Sequence, residues 1–269
     1  MKHQLKSAGS ALLLGVSLAL GSASASAGVV TVWGERFDLN PINNFYNGLT
    51  GHSSSIAAGT LDTVNLSGVN LLWAVQPADA YTASELTTMA NFLSGGGRIA
   101  FMGEHGGFAP AENARINTAL AFLGSTISIN ANDVLDGGFR SAGVLDGQIL
   151  SHPLTTGVDT YEYAAFAPLN ISGTAQALML GEEQFNGNPS IMMAYQNIGP
   201  GSIFLITDQN VWDNGPLWGS FDNERMFENL LSGNTGAPPV GGTVPAPATL
   251  ALLGAGLLGL AGLRRRQAA

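Results

Sequence analysis

Four short polar clusters follow four apolar, β-rich runs, and together they could do chemistry. Glu35 and Arg36 follow VVTVW (29–33), Gln76 follows VNLLWAV (69–75), Glu104 and His105 follow RIAFM (98–102), and Asp208 and Asn210 follow SIFLIT (202–207). A carboxylate beside an imidazole can move protons, so Glu104, His105 and Asp208 are the candidate catalytic set, suited to hydrolysis of a glycan or ester. Glu35, Arg36, Gln76 and Asn210 supply the donors and acceptors of a candidate ligand-binding set. Asp208, Asn210 and Asp213 gather oxygen ligands in one loop, which is the donor type Ca²⁺ prefers, although their spacing is not that of an EF-hand. Ca²⁺ is the single cofactor the sequence raises. Asn and Asp clusters also make turns, and polar residues are expected wherever strands surface. His152, before Pro153, reads as a turn residue, and His52 sits in a polar loop with no evident partner.

Several chemistries are excluded. The chain has no cysteine, so there is no thiol nucleophile, no zinc–thiolate site and no disulfide. No Gly-x-Ser-x-Gly elbow, phosphate-binding loop or dinucleotide fingerprint follows a strand-like run. Gly95-Gly96-Gly97 precedes such a run, which is the wrong order for cradling phosphate. Of the four tryptophans, Trp33 and Trp73 fall in apolar runs and read as core. Trp212 and Trp218 flank Asp213 and form a candidate pair for stacking on a sugar.

The elements that must position these residues are legible in outline. VNLLWAV is a continuous apolar run between Gly68 and Pro77, the pattern of a strand buried on both faces. Thr82-Ala83-Ser84-Glu85 is a capping box opening a helix whose Leu86, Met89, Ala90 and Leu93 recur at helical spacing. The three glycines at 95–97 end it. Further helices are expected over 41–49, 110–123 and 222–231. Further strands are expected over 126–129, 175–180 and 191–195. Residues 53–60 and 130–157 read as loop. Strands alternating with helices predict an α/β fold of three layers, a mostly parallel sheet with helices on both faces. In such sheets ligands bind beyond the carboxyl ends of the strands, where all four polar clusters fall.

Both ends of the chain read as sorting signals. Lys2, His3 and Lys6 precede the apolar run 11–20 and the small residues SASASA (22–27), the layout of a cleaved signal peptide over 1–27. This implies the Sec translocon and signal peptidase as partners. Residues 28–232 form the expected domain, and the Gly/Pro-rich stretch 233–243 reads as a flexible linker. Val244-Pro245-Ala246-Pro247, the uncharged apolar run 248–263 and Arg264-Arg265-Arg266 then make up the tail 244–269, with a single expected transmembrane helix. This combination resembles a PEP-CTERM sorting tail. The resemblance implies recognition by an exosortase of an exopolysaccharide-producing Gram-negative bacterium, a transient anchor in the inner membrane, and a final place at the cell surface or outside the cell. Exopolysaccharide is then an expected partner. Ala246 stands where that motif usually has Glu.

Removing both ends leaves five arginines, no lysine and nineteen acidic residues, a net charge of −14. A field of that sign repels nucleic acid, so none is expected as a partner.

The body also resembles the class I glutamine amidotransferase-like superfamily, a flavodoxin-like fold. The matching stretches are VNLLWAV, TASELTTMANFLSGGGRIAFMGE, SHPLTTGV and GSIFLITDQNVWDN, with Asp222-Asn223 opening the last helix. The catalytic branch of that family has a Cys at the turn after the strand matching RIAFM. Here the turn reads Gly103-Glu104-His105-Gly106, so amidotransferase chemistry is not implied. Two readings follow. One is a non-catalytic surface or matrix protein that binds a small or carbohydrate ligand at the strand ends. The other is an extracellular hydrolase using Glu104, His105 and Asp208.

Overall fold

The computed structural model of the chain describes residues 28–232. The expected signal peptide (1–27), linker (233–243) and sorting tail with its membrane helix (244–269) lie outside the described residues. In chain order the elements are β1 (Val29–Gly34), α1 (Asn40–Gly48), β2 (Ser53–Ile56), β3 (Leu71–Val75), α2 (Ala83–Ser94), β4 (Arg98–Met102), α3 (Pro110–Phe122), β5 (Ile127–Ile129), β6 (Arg140–Gly143), β7 (Thr160–Tyr163), β8 (Leu169–Ile171), β9 (Gln176–Phe185), β10 (Asn188–Ile198), β11 (Gly201–Ile206), α4 (Asn214–Trp218) and α5 (Asn223–Ser232).

Nine strands form one sheet in the order β2-β1-β3-β4-β11-β10-β8-β5, with β9 also on β10. The first five pair in parallel. From β10 onward the pairing turns antiparallel. The parallel half has the flavodoxin-like doubly wound order. Residues of β3 show how it is held. Leu71, Trp73 and Val75 face one core with α1 and α5, while Leu72 and Ala74 face a second core with α2 and α3. All five are buried, and each large side chain removed from water contributes about 2 kcal/mol. Helices therefore cover both faces, as the sequence pattern predicts.

The capping box is present: Thr82 accepts from the Glu85 amide, and the Glu85 carboxylate accepts from the Thr82 amide. Gly96 takes the left-handed conformation past the helix end, with φ 90°. Where the structure differs from the sequence reading, hydrophobic signal is missing. Residues 53–56 are not loop but the edge strand β2, a serine run with no apolar alternation. The Asn47 carboxamide accepts the Ser54 amide at 2.8 Å and donates to the Ser54 carbonyl at 3.0 Å, standing in for the missing neighbour strand. β6 lies inside the stretch 130–157 that composition assigns to loop, and β7 and β8 are likewise too short to announce themselves.

Gly34 ends β1 directly opposite Val75. A Cβ there would lie 2.4 Å from the Val75 carbonyl oxygen, and backbone cannot rotate away. Gly34→Ala should therefore push β1 from β3 and lower stability by about 1–3 kcal/mol, read as a fall in the urea midpoint. An unchanged midpoint would show that the strands separate freely.

Candidate functional site

β1, β3, β4 and β11 end level with one another. Gly34 pairs with Val75, Val75 with Met102, and Met102 with Ile206. Whatever follows these residues emerges side by side at one edge.

Glu104 sits at the centre of that edge and is 1% exposed. Its Oε1 accepts the His105 amide at 2.8 Å and its Oε2 accepts the Gln209 amide at 2.9 Å. The Gln209 side-chain oxygen accepts Gln76 Nε2 at 2.8 Å. Gln76 is itself buried and has φ 32°, an uncommon value for a non-glycine residue that turns the chain sharply out of β3. Asn113, from α3, accepts the Glu104 amide at 3.1 Å and donates to the Glu104 carbonyl. Asp208 is fully buried. Its Oδ2 accepts the Ala164 amide at 2.6 Å and its Oδ1 the Asn210 amide at 2.8 Å. The two carboxylates thus tie the turns after β4 and β11 to each other and to the segment after β7.

Burial raises both acids. Desolvation, and then the nearby Asp208 charge, lift Glu104 to about 8 against the pull of its two amide donors. Desolvation lifts Asp208 to about 7. His105 lies with Nε2 3.8 Å from Glu104 Oε1, its side chain 27% exposed. Its Nδ1 is buried with no hydrogen-bond partner among the described residues, and desolvation lowers its pKa, which favours the neutral ring. The structure thus brings Gln76, Glu104, His105 and Asp208 together.

The remaining candidates lie around this centre. Glu35 accepts the Ala78 amide through Oε2 at 2.6 Å. Arg36 pairs with Glu112 of α3. Asn210 donates through Nδ2 to Asp213 Oδ2 at 3.1 Å. As a calcium site Asp208, Asn210 and Asp213 fit poorly, because Asp208 is buried with each oxygen held by an amide. Among the described residues no group of three or more His, Cys, Asp or Glu is arranged to hold a metal ion.

Two expectations are corrected. Trp212 is 1% exposed, stacked on Phe227 at 4.0 Å and edge-on to Trp73 at 5.3 Å. It belongs to the core, so no exposed Trp212–Trp218 pair exists, although Trp218 itself is 54% exposed. His52 does have a partner: its Nδ1 accepts the Gly28 amide at 2.9 Å. His152 is a turn residue as expected, its Nδ1 accepting the Leu154 amide at 3.1 Å.

The sequence reading passes over Gln209, Asn113, Glu112 and Arg115. Gln209 is the middle residue of Asp208-Gln209-Asn210 and could have been included on adjacency alone. Nothing in the sequence brings α3 to this edge. A surface groove lined by Val64, Leu66, Val69, Phe92 and Gly97 opens at the opposite edge of β3 and β4, away from every candidate.

Known structures share the fold. The N-terminal domain of mmIFT52 superposes with a TM-score of 0.58 at 16% identity, covering 75% of this chain and 95% of that one. Cytoplasmic protein STM3548 from Salmonella typhimurium gives 0.52 at 12% identity, covering 75% and 97%. A β-galactosidase from Bacillus circulans sp. alkalophilus gives 0.50 at 13% identity, covering 79% of this chain but only 32% of the enzyme. At such identities the likeness is one of fold alone. No curated protein sequence matches the chain. Residues 243–266 match the PEP-CTERM protein-sorting motif.

Proposed function

We propose that the chain is an exported protein of the cell surface or extracellular matrix, sorted by an exosortase, whose α/β domain is non-catalytic and binds a small or carbohydrate ligand at the carboxyl edge of its parallel strands. The PEP-CTERM motif at 243–266 implies export and recognition by an exosortase. The observation that carries the non-catalytic reading is the engagement of Glu104 and Asp208. Each carboxylate oxygen accepts a backbone amide, and both side chains are almost wholly buried. A general base must reach the proton it takes, and these two hold loops instead. The likeness of the body to the amidotransferase-like superfamily enters on the same terms, since the chain has no cysteine. The carbohydrate part of the reading draws on the exosortase setting. That one fold relative is a β-galactosidase adds only an analogy.

The hydrolase reading draws on the raised Glu104 carboxyl 3.8 Å from a neutral His105. Two measurements decide between the readings. The full-length protein, assayed on glycan and ester substrates, should show no turnover. Turnover lost in Glu104→Gln would replace the binding reading with the hydrolase. Separately, co-expression with an exosortase should shorten the C-terminus by mass, and an intact tail in its presence would overturn the sorting reading.

A further inference from the structure

Resting on that strand-edge reading, we propose that Arg36 and Arg115 form a carboxylate-binding subsite whose ligand is an acidic sugar, a uronate unit of an extracellular polysaccharide.

The folded domain has only five cationic side chains apart from its histidines, all arginine. Two of them meet here. Arg36 Nη1 and Arg115 Nη1 converge on the same oxygen of Glu112, the latter at 3.5 Å. One buried carboxylate therefore faces two guanidinium groups in a strongly acidic domain. Of the two acids that follow β1, Glu35 accepts the Ala78 amide and Asp38 accepts from Asn40, and neither lies within ion-pair distance of these arginines. Glu112 is only 3% exposed, whereas Arg36 is 57% and Arg115 28% exposed. The acid thus lies beneath and the cations above it, open to an incoming ligand.

The location fits a ligand. Arg115 Nη1 also donates to the Pro77 carbonyl at 2.9 Å, which pins its guanidinium to the turn after β3. Arg36 follows β1. β1 and β3 are the pair at which the strand order reverses, the crevice where doubly wound sheets take ligands. Each guanidinium carries five donors in a flat fork that matches a carboxylate two bonds at a time. Among the described residues only the Nη1 groups are engaged. Phe108, on the loop leading into α3, is 62% exposed and lies 6.2 Å from the His105 ring, an apolar face at the same strand edge.

Calorimetric titration of the full-length protein with a galacturonate trisaccharide, a neutral galactose trisaccharide and inorganic sulfate tests this. The uronate should bind at least tenfold more tightly than the neutral sugar. Arg36→Gln and Arg115→Gln should each weaken uronate binding about tenfold, while Arg225→Gln, in a separate exposed pair with Glu228, should change nothing. Glu112→Gln removes the competing carboxylate and should tighten uronate binding severalfold, a gain that a purely structural salt bridge would not produce. Arg36, more than half exposed, keeps the test open if the Arg115 variant loses its fold by thermal melting. Neutral sugar binding as tight as uronate binding, and indifferent to both arginines, would overturn the acidic ligand but leave the strand-edge reading standing. Sulfate binding as tightly through the same arginines would make this a general anion site and overturn the sugar assignment. Binding of none of the three would overturn both.

Discussion

Replacing Asp136 with alanine should lower the unfolding free energy by about 3–5 kcal/mol, the largest single loss expected in the domain. Asp136 is fully buried. Its carboxylate accepts the Tyr163 hydroxyl at 2.7 Å and the amides of Glu182 and Glu183 at 2.6 and 2.8 Å. Each donor left unpaired in the interior costs about 1–3 kcal/mol. Asp136 also has φ 52°, a left-handed conformation that Asp and Asn adopt more readily than Ala. The same carboxylate helps, after burial, to push the Tyr163 hydroxyl well above its ordinary range, which keeps it a neutral donor. Asp136→Asn retains the backbone tolerance and one acceptor, so it should lose about half as much. Equal urea midpoints for Asp136→Ala and wild type would show that the 130–139 segment is not held to β9 and β7 in this way.

Between about pH 4 and pH 8 the protein should become less stable as pH rises. Unfolded, Glu104 and Asp208 titrate near 4.5 and 3.8; folded, they are lifted to about 8 and about 7. Across that window the folded state holds more protons than the unfolded chain, so the unfolded state gains as protons leave. Each group contributes a fall of about 1.4 kcal/mol per pH unit. The effect levels off below about pH 4, where both states are protonated, and above about pH 8, where both are ionised. The cause is the burial of two acids in one place. Asp208 and Asp213 act on Glu104 with like charge, and His105, 3.8 Å away and shifted toward its neutral form, does not offset them. Glu104→Gln should roughly halve the slope while costing some stability at low pH, because one of its two amide partners then meets an NH₂ group. Urea unfolding at pH 5, 6, 7 and 8 gives the slope directly. A stability that is flat or rising over that range would refute the account.

Much of the site was readable before the fold was known, because of one regularity. A buried parallel strand is a continuous apolar run, and the first polar residue after it marks the sheet edge. Gln76, Glu104 and Asp208 are legible in that way; Gln76 and Glu104 share one hydrogen-bonded network through Gln209, while Asp208 holds the Ala164 and Asn210 amides beside it. The same rule says nothing about direction. It could not show that Glu104 and Asp208 turn inward onto amides while Arg36 turns outward, because that depends on which donors neighbouring loops bring within reach. Asn113, Glu112 and Arg115 lie on a helix, where no strand-end rule applies, and Arg36 and Glu112 are 76 residues apart. Trp212 misled because its neighbours Asn210, Asp213 and Asn214 are polar. Its ring is nevertheless taken up by Trp73 and Phe227, which come from a central strand and the last helix.

The apolar runs, the capping box, the absence of thiol chemistry, the acidic charge and the sorting motif at the end of the chain are all legible in the amino-acid order. These are properties of composition and short-range order, and they need no partner distant in sequence. The antiparallel extension from β10 onward, the edge strand β2, the clamp formed by Glu104 and Asp208, and the pairing of two arginines on one acid emerge with the folded chain. Each of these requires groups far apart in the chain to meet, and a hydrogen bond or ion pair leaves no mark in the sequence when its partners are brought together by the fold.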